Sequence, residues 1–168
     1  MKLEPDHDDV HAAAKAGDTD EVAALLSMDN RLTRTFDADG WTPLHLAAHY
    51  GHAATVELLL HNNAPVDLRS QNQLANTALH AALVGQRPAE RAQVARLLVE
   101  GGADVNAVQH GGWTPMHQAA ANGDRETAEL LIGRGARRDV ANDAGVTPAA
   151  IARQRGHDAI ATWLEAKR

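Results

Sequence analysis

A six-residue phrase recurs along this chain, and it limits the fold more than any other feature. Thr42-Pro43-Leu44-His45-Leu46-Ala47 returns as Thr77-Ala78-Leu79-His80-Ala81-Ala82, Thr114-Pro115-Met116-His117-Gln118-Ala119 and Thr147-Pro148-Ala149-Ala150-Ile151-Ala152. Successive threonines stand 35, 37 and 33 residues apart. A divergent copy, Asp8-Asp9-Val10-His11-Ala12-Ala13, precedes them, with His11 lying 34 residues before His45. Such a period marks an array of supersecondary units, none of which buries its apolar face alone.

Each unit reads as two short helices. Pro43, Pro115 and Pro148 suit the first helical turn, where a missing N–H costs nothing. The threonine before each can cap it. Gly17, Gly51, Gly123 and Gly156 follow the first helix, where a left-handed C-cap favours glycine. Asp18, Asp124 and Asp158 fall where the second helix begins and complement its dipole. Val22, Leu25 and Leu26, then Val56, Leu59 and Leu60, repeat at helical spacing. The 44 % hydrophobic content comes with only 3 % aromatics. Small residues that let helices approach closely fit that balance better than a β-sandwich does.

The phrase and its sequel closely resemble the ankyrin repeat, whose signature is T-P-L-H-x-A. Leu97-Leu98-Val99-Glu100-Gly101-Gly102-Ala103-Asp104-Val105-Asn106-Ala107 nearly reproduces the family pattern, and Leu130-Leu131-Ile132-Gly133-Arg134-Gly135-Ala136 follows it. The resemblance covers roughly residues 8 to 165. It implies an all-α ankyrin-repeat solenoid of stacked helix-turn-helix units with hairpin-like connecting loops. The expected organisation is a single domain, 1–168, with repeats at about 8–38, 39–73, 74–110, 111–143 and 144–168. The outer copies are polar where a cap should be. Asp8 and Asp9 replace Thr-Pro, Ala150 replaces the histidine, Arg153 stands where the second copy has Ala48, and Glu165 takes a leucine position.

Two insertions break the period. One adds two residues within 69–76, a glycine-free and therefore atypical hairpin tip. The other adds four residues around 85–90, after which Pro88 is expected to start a longer second helix through Val99. Both read either as tolerated loop drift or as part of a binding face.

Composition excludes several function classes. The chain has 168 residues, enough for a real core, and no cysteine, so it has neither disulfides nor thiolate chemistry. A formal charge of −6 speaks against nonspecific nucleic-acid binding. No run approaches the length of a membrane span, and Met1–Asp6 shows no apolar leader. A cytoplasmic, monomeric protein without cofactor is expected. No nucleophile elbow, phosphate loop or zinc-protease motif appears, so the chain is read as not an enzyme.

Histidine is the one abundant chemical side chain, with ten copies. The resemblance implies that His11, His45, His80 and His117 are structural and bond between adjacent repeats. His45, His49 and His52 also have spacing that zinc could use, a reading weighed against the scaffold's need for His45. Asn106 reads as a turn stabiliser, although in animal members of the family the equivalent asparagine can be hydroxylated.

What remains is a surface. Family members characteristically bind proteins through the hairpin tips and the exposed side of the first helices. The matching positions here are Asp37, Asp39, Trp41, Leu46, His49 and Tyr50 in the second repeat, and Gln73, Leu74 and Val84 in the third. His110, Trp113, Gln118 and Asn122 follow in the fourth, and Val146 and Ile151 in the fifth. Three of the chain's five aromatics, Trp41, Tyr50 and Trp113, fall on this surface, and such residues anchor protein interfaces. Trp41 and Trp113 share one repeat position, so stacking would set them roughly 20 Å apart on one face. The alternative reading is that each tryptophan packs over its own hairpin. Charge is uneven: residues 1–30 hold eight acids and two bases, residues 131–168 seven bases and four acids. Such asymmetry can orient a partner or be inert surface. The leading expectation is a non-catalytic scaffold or adaptor for a protein partner. The alternatives are a regulator masking an enzyme or toxin, and a small-molecule or metal-binding repeat protein.

Overall fold

The computed structural model describes residues 7–166, all of whose regular elements are helical. They are α1 (His7–Ala16), α2 (Thr19–Met28), α3 (Pro43–His49), α4 (Ala53–His61), α5 (Ala78–Leu83), α6 (Arg91–Glu100), α7 (Pro115–Ala121), α8 (Arg125–Gly133), α9 (Pro148–Gln154) and α10 (Asp158–Glu165). Short 3-10 turns occupy Asn30–Arg34 and His110–Gly112. The helices gather into two compact units that divide after Ala103.

In the first unit α3 packs between α1 and α5, while α4 packs between α2 and α6. Helices this short are marginal alone, so their packed faces hold them. The core is made of small and medium side chains: Val10, Ala14, Val22, Ala47, Val56, Leu59, Leu79, Leu83, Val94 and Leu98 are fully or almost fully buried. In the second unit α7 packs on α8 and α9, and α9 on α10, around Met116, Ala119, Ala120, Ala128, Leu131, Ala152 and Ala161.

The expected caps are present. Thr42, Thr114 and Thr147 are the N-caps of α3, α7 and α9, each followed by its proline. Asp18 and Asp124 cap α2 and α8, accepting from Glu21 N and Thr127 N at 3.0 Å each. Gly17 ends the first helix with φ +77°, and a Cβ there would lie 2.4 Å from His52 Nδ1. The next repeat's turn histidine thus lies over a glycine that tolerates no side chain. His52 Nε2–H donates to Lys15 O at 2.9 Å and completes that turn.

The segment 85–90 departs from expectation. Pro88 lies in a turn, and α6 begins only at Arg91 and is as long as α2, so no lengthened helix forms. The extra residues fold back on the second repeat instead. Gln86 N donates to His49 O, and Arg87 and Glu90 crowd Gly51, whose Cβ would meet Arg87 Cβ at 3.0 Å. They occupy the place that His52 takes over Gly17.

The tip at 69–76 is atypical, as its lack of glycine implied. Ala75 adopts φ +46°. Asn72 Oδ1 accepts from Ser70 Oγ and Leu74 N, and Asn76 N donates to Ser70 Oγ. The tip rests on its neighbour, with Gln71 N donating to Gly40 O at 2.8 Å and Asn72 Nδ2 to Asp39 O at 3.2 Å.

Candidate interaction cleft

The first unit carries a cleft of about 240 Å³, and the residues around it come mostly from the second repeat. Asp37, Asp39, Trp41, Leu46, His49 and Tyr50 line it, joined by Lys15 from the last turn of α1. The hairpin tip positions Trp41. Asp37 Oδ1 accepts from Asp39 N at 3.0 Å and Trp41 N at 2.8 Å, while Asp37 N bonds Trp41 O. One side chain thereby holds both the turn and the tryptophan, the usual talent of aspartate in tight turns.

The rings form a connected wall. Trp41 meets His49 edge-on at 5.0 Å between centroids, and His49 meets Tyr50 edge-on at 5.1 Å. These are the favoured T-shaped distances. Tyr50 in turn lies nearly parallel to His52 at 6.4 Å. His49 Nδ1–H donates to Ala81 O at 3.3 Å, which ties the wall to the third repeat. Burial pushes the His49 pKa below its ordinary value, more than that bond raises it, so the ring is neutral at pH 7. Lys15 Nζ lies 5.6 Å from the Tyr50 centroid, within cation–π range.

Not every expected surface residue is exposed. Leu46 is 6 % exposed and Ile151 4 %. Both sit one residue after the signature position, on helices packed from two sides, and turn inward. Leu46 nevertheless lines the cleft, beneath the rings. Leu74 and Val84, at 47 % and 45 %, do stand out from the third repeat, as do Gln73 and, in the second unit, His110. Lys15 joins the expected residues from the first repeat: it aligns with His49 one repeat earlier and falls beside that residue.

The signature histidines do scaffold work. His45 Nε2–H donates to Asn76 O at 3.0 Å, and its Nδ1 pairs with Thr42 Oγ1 at 2.8 Å. A carbonyl only accepts, so Nε2 bears the hydrogen and Nδ1 accepts from the threonine hydroxyl. His117 repeats this with Val146 O at 3.1 Å and Thr114 Oγ1 at 2.8 Å, and His11 Nε2 reaches Thr35 O at 3.1 Å. Burial lowers the pKa of His45 and His117, consistent with neutral rings. Zinc at His45, His49 and His52 would have to displace these bonds. Among the described residues, no group of three or more potential ligands is arranged to hold a metal.

In the second unit Trp113 lies 5.8 Å from His117, tilted by 49°, much as Trp41 lies against His45. On the same repeat Gln118 Nε2 donates to Asn122 Oδ1 at 3.4 Å, both residues being half-buried, while Val146 spends its carbonyl on His117. Asn106 clamps its turn: Nδ2 donates to Gly135 O at 3.0 Å and Oδ1 accepts from Arg137 N at 2.9 Å. Several C-terminal bases are engaged locally. Arg153 pairs with Glu165, and Arg138 both stacks on Trp163 and donates to Ala166 O. No helix among the described residues is long and apolar enough to cross a membrane.

Comparison with known proteins agrees with the repeat. A family model of three ankyrin repeats matches residues 10–109 and 89–167. Ankyrin repeat and SOCS box protein 16 of Mus musculus is 44 % identical over 122 residues, covering 70 % of this chain and 26 % of that protein. A homolog of transient receptor potential cation channel subfamily A member 1 from Caenorhabditis elegans is 32 % identical over 90 % of the chain but only 12 % of its own length. The probable 26S proteasome regulatory subunit p28 of Saccharomyces cerevisiae is 35 % identical over 59 % of the chain and 42 % of its own length. The chain thus spans about a quarter of the SOCS box relative and less of the channel homolog.

Proposed function

This chain belongs to the ankyrin-repeat family, whose repeats are general protein–protein interaction modules, and we propose that it is a non-catalytic scaffold or adaptor that docks a partner protein in the Trp41 cleft. The cleft itself carries this reading. Six residues expected on a partner-facing surface from repeat position alone line one concavity. Trp41 and Tyr50 are rigid amphipathic rings of the kind that dominate interface energetics. Leu74 and Val84, from the same unit, add exposed apolar contacts.

Catalysis finds no support in the same groups. His49 is tied to a backbone carbonyl, and Asp37 is spent on its own turn. The reading extends to a cytoplasmic, monomeric protein.

Affinity capture from source-cell lysate, comparing the parent chain with Trp41→Ala, tests the proposal. A protein retained by the parent should be lost from the variant, with helicity unchanged by circular dichroism. Equal retention by both would move the site away from the cleft.

A further inference from the structure

We propose that the Trp41 cleft receives a cationic side chain, an arginine or lysine that projects from the partner protein. This rests on the cleft being the docking site. The first support is the chain's own ammonium. Lys15, exposed on the last turn of α1, brings its Nζ over the Tyr50 ring at 5.6 Å. The cleft thus already attracts a cation, held by a flexible four-carbon stem that can swing into water. A partner's cation takes its place.

The second support is charge. Asp37 and Asp39 are the acids of the cleft. Asp39 is exposed, and among the described residues its carboxylate makes no ion pair or hydrogen bond. With Lys15 displaced, the cleft has two carboxylates and no fixed positive charge. His49 does not oppose a cation, because it is neutral, and with Nδ1–H donated to Ala81 O its Nε2 carries a lone pair. The third support is shape. Leu46 and the Trp41 ring offer apolar surface to an aliphatic stem, while the carboxylates and the Tyr50 face meet the charged head.

The test is a nuclear magnetic resonance titration of the full chain with glycine–serine peptides that differ in one central residue: arginine, lysine, norleucine or glutamate. The arginine and lysine peptides should shift the Trp41 indole N–H at millimolar concentration, and the other two should not. Lys15→Gln should tighten arginine-peptide binding about twofold to fivefold by removing the competing cation. Asp39→Asn should weaken it about threefold. Both substitutions are on exposed side chains and leave the core untouched. Norleucine binding as well as arginine, or glutamate binding better, overturns the inference, as does a Lys15→Gln variant that binds no more tightly. If lysate capture still depends on Trp41 while no cationic peptide binds, the cationic partner is wrong and the docking cleft stands. Capture indifferent to Trp41 removes the cleft itself.

Discussion

Trp41 and Trp113 occupy one position of the repeat and differ in what lies beyond the signature histidine. Both follow a hairpin tip and tilt over the signature histidine at nearly the same distance, 6.0 and 5.8 Å. Beyond that histidine, the second repeat has Leu46, His49 and Tyr50, where the fourth has Gln118, Ala121 and Asn122. The first set builds a wall of edge-to-face rings around a cleft. The second gives a short polar strip. The scaffold decides where a side chain stands, and the neighbours decide what it can bind.

The sharpest separation of scaffold from surface is at the histidines. His45→Ala and His117→Ala should each lower stability by about 2–4 kcal/mol, through a cavity and a buried carbonyl left unpaired. Urea unfolding measures this, and a loss below about 0.5 kcal/mol would mean that water replaces the ring. Next come the tryptophans. Trp41→Ala should weaken cationic-peptide binding about tenfold, whereas Trp113→Ala should leave it within a factor of about two. Equal losses would erase the distinction drawn here.

Acid should act unevenly on the two units. His45, His49 and His117 are held below their ordinary 6.5, so each binds a proton more readily in the unfolded chain. Their contribution to stability is present above that value and is lost as pH falls through it toward the folded pKa. Two of the three lie in the first unit. Amide exchange compared at about pH 7 and about pH 5.5 should show the larger loss of protection before Ala103. The smallest effect is constructive. Ala121→His with Asn122→Tyr copies the ring wall beside Trp113 and should improve cationic-peptide binding by about twofold to fivefold. No gain would show that Asp37 and Asp39 matter more than the rings.

Much of this was legible in the sequence because it is local. A proline after a threonine, a glycine at a helix end and an aspartate three residues before a backbone N–H each specify geometry within one turn. Pro88 misled for the same reason. Its local signal fits a helix start, but the inserted residues were drawn back over Gly51 by contacts with another repeat. Repeat alignment gives a register and not the thickness of the neighbours, so it does not show that Leu46 and Ile151 turn inward. Lys15 joins the cleft across a repeat boundary, a contact visible only when two copies are aligned side by side.

The histidine bond also governs where the chain could change length. His45 and His117 both take the carbonyl of the residue just before the next threonine, Asn76 and Val146. That residue is a fixed terminus for each hairpin, however long the tip before it. The two additional residues in 69–76 are taken up ahead of Asn76, by the left-handed Ala75 and the Asn72 turn. An insertion between that carbonyl and its threonine would instead pull the acceptor out of reach. Such a hairpin can grow outward from its tip while its root stays pinned, so loop variety in this chain has one permitted direction.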